Sequence, residues 1–89
     1  MSDDDKRFCT AEAIAQHLTE ALASGDAQIF LLALRDVVTE RNVGHIAQVT
    51  GLSRGGLYKM LGGGQTPRLD TVLKIVRALG VRLTVAPIS

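Results

Sequence analysis

Val43-Gly44-His45-Ile46-Ala47-Gln48-Val49-Thr50-Gly51-Leu52-Ser53-Arg54-Gly55-Gly56-Leu57-Tyr58-Lys59-Met60-Leu61 is the stretch whose reading decides the fold of this 89-residue chain. It reads as two short helices joined by a tight turn. Gly51 stops the first helix, in the left-handed conformation that glycine reaches without a Cβ clash. Ser53 then caps the second helix through its hydroxyl. Ala47 is small and lies four residues before Gly51, so two helices can cross closely there. Ile46, Leu52, Leu57 and Met60 or Leu61 supply the apolar contacts that set the crossing. This is the spacing of a helix-turn-helix, whose second helix enters the DNA major groove.

Working outward, Thr10 caps a predicted helix over 11–24, with Glu12 in its first turn, where the helix dipole favours an acid. Ala11, Ile14, Leu18, Ala21 and Leu22 form its apolar stripe, and Gly25 ends it. Asp26 caps a second helix over 27–41, with Ile29, Phe30, Ala33, Leu34, Val37 and Val38 as its stripe. Leu31 and Leu32 widen that surface, so this helix is either central to the bundle or covered by a partner. Beyond the quoted stretch, residues 62–68 read as a flexible turn. A last helix over 69–79 carries Leu69, Val72, Leu73, Val76 and Leu79 and stops at Gly80. Asp70 and Lys74 form a favourable pair one helical turn apart. Val81 to Ala86 alternates apolar and polar and predicts a strand, ended by Pro87. One strand is not stable alone. Val81, Leu83 and Val85 are therefore expected at a homodimer interface, which would also supply two recognition helices. The expected architecture is all-α, with five helices and a short C-terminal strand. Residues 1–9 form a frayed N-terminus and 10–89 one domain, with the helix-turn-helix at 43–61.

Length and composition bound the function. A chain this small forms one domain. Hydrophobic residues make up 46% of it, which is globular and not disordered. No apolar run approaches the roughly 18 residues of a membrane span. The acidic start is unlike a signal peptide. The single cysteine, Cys9, excludes an intrachain disulfide and gives no sign of an oxidising compartment, so a cytoplasmic location is expected. Net charge is +1, unevenly spread. Residues 1–42 carry eight acids and four bases, and residues 43–89 carry six bases and one acid. A basic half that coincides with the helix-turn-helix suits a polyanion; an acidic half suits a basic protein partner.

The same residues nominate an interface. Arg54, at the start of the second helix, suits bidentate recognition of guanine. Gln48, Tyr58 and Lys59 are placed to hold phosphates, with Ser53 beside them. Thr66 and Arg68 follow the second helix, where backbone contacts are common. Tyr58 also reads as a half-buried packing residue. His17 and His45 have no cysteine or carboxylate at metal-ligand spacing, so no metal or other cofactor is expected. Cys9 lacks the basic surroundings of a nucleophile. Asp3, Asp4 and Asp5 lie in a flexible tail that holds no fixed separation for acid–base work. Gly62-Gly63-Gly64 lacks the following Lys-Ser/Thr of a phosphate loop. An enzyme is therefore not expected.

Leu52 to Leu61, followed by Gly62 to Lys74, resembles the Xre/Cro-type helix-turn-helix. It is more specifically similar to the antitoxins called addiction-module antidote proteins, related to HigA. Ala13-Ile14-Ala15 through Leu22, Gly25-Asp26 and Ala33 to Val37 carry the same resemblance, which spans about residues 10–86. It implies a dimeric five-helix DNA-binding domain that neutralises a RelE/ParE-like toxin by direct binding. It also implies repression of the shared operon through double-stranded DNA upstream of its own gene. One feature departs from the pattern. Gly55-Gly56 costs the second helix roughly 1 kcal/mol per glycine relative to alanine and removes two side chains from its groove-facing start. The alternative reading is a protein-interaction module, or a regulator with no toxin partner.

Overall fold

The computed structural model describes residues 8–62 and 66–88. Five helices follow one another: α1 (Ala11–Ala23), α2 (Ala27–Glu40), α3 (Val43–Thr50), α4 (Arg54–Leu61) and α5 (Leu69–Ala78). The first four begin at a side-chain cap. The Thr10 hydroxyl accepts from the Ala13 amide at 3.1 Å. The Asp26 carboxylate accepts from the Gln28 amide at 2.8 Å. Asn42 Oδ1 accepts from the His45 amide at 3.0 Å, and Ser53 Oγ from the Gly56 amide at 3.0 Å. Each satisfies an amide that the first helical turn leaves without a partner. Asn42 as the start of α3 was not read from the sequence, although asparagine is among the strongest residues at that position. Gly51 ends α3 at φ 76°, as its place in the turn requires.

Helix α2 is the hub. It packs against α1, α3 and α4, and α3 also packs against α4 and α5. Leu34, Val37 and Val38 of α2 are fully buried, with Ile14, Ile46, Leu57, Leu61, Ile75 and Val76 around them at no more than 1% exposure. Of the two leucines that widen the apolar surface of α2, Leu31 is buried and Leu32 stays about half exposed, as does Ile29 of the expected stripe.

The apolar pattern differs from expectation in further details. Leu22 is exposed at the end of α1. On α5 the buried set is Val72, Ile75, Val76 and Leu79, and both Leu69 and Leu73 face solvent. Two overlapping apolar stripes at 3, 4 and 7 spacing exist on that helix, and packing on α3 selects the one containing Ile75. At the N-terminus Phe8 is buried, its ring 4.9 Å from that of His17. The frayed end expected over 1–9 thus fails at Phe8, which is packed in the core, and residues 1–7 lie outside the described residues.

The C-terminal strand is not formed. Residues 81–88 carry no regular secondary structure. A strand needs a neighbouring ladder to bond its amides and carbonyls, and the described residues contain none. Val81 and Leu83 are half-buried and pack against the chain's own core, while Val85 is fully exposed.

Candidate nucleic-acid interface

Helix α4 holds the nominated residues. Leu57 and Leu61, four residues apart and fully buried, anchor it to the bundle. That contact fixes which side of the helix faces out: Arg54, Gly55 and Lys59 are exposed, and Tyr58 is half-buried at the edge. On α3, Ile46 is the buried anchor, and His45, Gln48 and Val49 face solvent. Ser53 is exposed, but its hydroxyl is engaged in capping α4. Its role in the structure is thus at least partly local.

The fold adds neighbours that the sequence order hides. The Arg54 guanidinium lies against the first turn of α3. A Cβ built on Gly44 would stand 3.4 Å from Arg54 Nη2 and 3.5 Å from Asn42 Oδ1. The starts of α3 and α4 therefore converge beside one guanidinium. Arg35 of α2 belongs to the acidic half of the sequence, yet its guanidinium carbon stands 5.7 Å from the centre of the Tyr58 ring. A cation over an aromatic face at this distance is attracted by the ring quadrupole. Arg35 thus joins the basic surface of α4, and the only signal for it was its position on α2 opposite the core.

Thr66 and Arg68 are exposed in the segment leading to α5. Arg68 is not free: its Nε donates to Asp70 Oδ1 at 3.2 Å. That hydrogen bond holds the Asp70 carboxyl below its usual range, with further help from the Thr71 amide. Arg68, not Lys74, is thus the principal partner of Asp70. The pairing also neutralises the one acid of the basic half. Arg54, Lys59, Lys74, Arg77 and Arg82 are all exposed. On α1 and α2, Glu12, Glu20 and Asp36 are exposed. His17 Nε2 lies buried between the two helices, 3.8 Å from Asp36 Oδ2 and too far to hydrogen-bond. No helix of the described residues is long and apolar enough to cross a membrane.

Residues 3–87 match the model of a protein family described as "Probable addiction module antidote protein". The chain belongs to this antidote family. A Haemophilus influenzae protein named only as uncharacterized is 36% identical to the antidote over 83 residues, covering 93% of this chain and 86% of that protein. No solved structure matches it. An antidote has a toxin as its partner.

The Arg68–Asp70 pair is directly testable. In Arg68→Ala, the Asp70 titration followed by NMR moves to higher pH, towards an ordinary aspartate, because the charged hydrogen bond is lost. An unchanged midpoint would show that the pair does not persist in solution.

Proposed function

We infer that this antidote is a sequence-specific DNA-binding repressor of its own operon as well as the neutraliser of a RelE/ParE-like toxin. The observation that carries the DNA reading is the exposed basic face of α4, with Arg54 and Lys59 turned outward by the burial of Leu57 and Leu61. A helix-turn-helix of the Xre/Cro type presents its second helix to the major groove in this way. Arg54 reads a base edge or holds a phosphate beside the start of α3. Gln48, Tyr58, Lys59 and Thr66 hold the backbone. Arg68 does so by exchanging its Asp70 partner for a phosphate.

Fluorescence anisotropy on a labelled duplex from upstream of its own gene, against an unrelated duplex, tests this. Binding weakens steeply with salt, by a log–log slope of about −0.9 per phosphate neutralised. Arg54→Ala costs roughly 1–3 kcal/mol and relaxes base preference, whereas Lys59→Ala weakens all sequences about equally. Weak binding without preference would leave the protein-interaction reading in its place.

The repressor acts as a homodimer through the C-terminal segment. Val81, Leu83 and Val85 are its contacts, with Val85 wholly available to a partner chain. Pairing with a twin would supply the ladder that a single chain lacks. Deleting residues 81–89 yields monomers by sedimentation; a truncated chain that still sediments as a dimer places the interface elsewhere.

The toxin occupies the acidic face of α1 and α2. Ile29 and Leu32 remain exposed on α2, Leu32 one turn before the exposed Asp36, a combination suited to a basic protein with an apolar contact. Co-expressed with the product of the reading frame adjoining its gene, Leu32→Arg loses co-purification while Arg54→Ala keeps it. Retention by Leu32→Arg would move the toxin site.

A further inference from the structure

Gly55 and Gly56 stand side by side in the first turn of α4, and the structure explains only one of them. A Cβ on Gly56 would press to 3.2 Å from Ser53 Oγ, the atom that caps the helix. A side chain there would crowd the cap by a few tenths of an ångström. A Cβ on Gly55 would meet nothing within 4 Å. Nor does its backbone need glycine, because the glycines of positive φ are Gly25, Gly51 and Gly80. Yet glycine is poorly suited to a helix, since it loses more conformational freedom on folding than any other residue. Neither packing nor backbone geometry inside the molecule accounts for its presence at this exposed position.

We propose that Gly55 is a determinant of DNA affinity, bare so that the backbone of α4 can approach the nucleic acid more closely than any side chain would allow. This inference rests on the DNA reading of α4. The surroundings give the approaching group its chemistry. Gly55 follows Arg54 and lies one turn before Lys59, and α4 carries no acid. A polyanion is drawn to that surface. Arg54 and Lys59 supply charge on either side of Gly55 in the chain, and no atom of Lys59 comes within 4 Å of the place a Cβ would take. Glycine serves close backbone approach elsewhere in this way, and its cost in stability is accepted where function needs it.

The proposal predicts opposite signs for stability and binding. Full-length Gly55→Ala melts at a higher temperature than the wild type, because an open helical site gains from alanine. It binds the upstream duplex about tenfold or more weakly, the loss that one misfitting group of about 1.4 kcal/mol produces. Gly55→Leu binds more weakly still, in proportion to its bulk. A Gly55→Ala chain that melts higher and binds as tightly as wild type overturns the proposal. One that melts lower also overturns it, by showing an internal need for glycine. A wild-type chain that binds neither the upstream nor an unrelated duplex removes the DNA reading itself, and this inference with it.

Discussion

Leu34, Val37 and Val38 form a wall of side chains on α2 that is closed to solvent, and the rest of the molecule is assembled against it. Helices α1, α3 and α4 all pack on α2, and α5 reaches the assembly through α3. In a chain of 89 residues there is room for one such wall. Removing buried methyl groups at such positions costs about 2–5 kcal/mol per leucine, a large share of the stability of a small domain. The orientation of every exposed residue follows from this packing, because burying one face of a helix exposes the opposite one.

Helix α4 depends on that wall most. It has eight residues, two adjacent glycines and a single basic residue in its last turn. A helix so short is marginal in water by itself. Its form comes from the Ser53 cap at one end and from Leu57 and Leu61 docking at the other. The exposed side is therefore free of structural duty and can be occupied by Arg54, Gly55 and Lys59. The helix is thus divided between a packed stripe and an unencumbered one.

The charges are already segregated along the chain. Bases predominate from α3 onward and acids on α1 and α2, with Asp70 of α5 tied to Arg68 and Arg35 of α2 reaching Tyr58. The surfaces proposed for DNA and for the toxin therefore draw on different residues. Loss of Arg68 from Asp70 to a phosphate would be the one exchange within the basic face.

Much of this was legible in the order of residues. Thr10, Asp26, Gly51 and Ser53 act locally, through hydrogen bonds or dihedral angles within three or four positions, so the helix ends they set follow from sequence alone, whereas the Asn42 cap of α3 was not read from it. The anchors Ile46, Leu57 and Leu61, and with them the outward turn of Arg54 and Lys59, follow from helical periodicity. Tertiary structure decided what depends on distant partners. It chose between the two stripes of α5, turned Leu22 and Ile29 outward, buried Phe8 and brought Gly44 under Arg54 and Arg35 over Tyr58. It also left Val81 to Ala86 without a ladder, because alternation along a chain states a capacity to pair and only a second strand fulfils it.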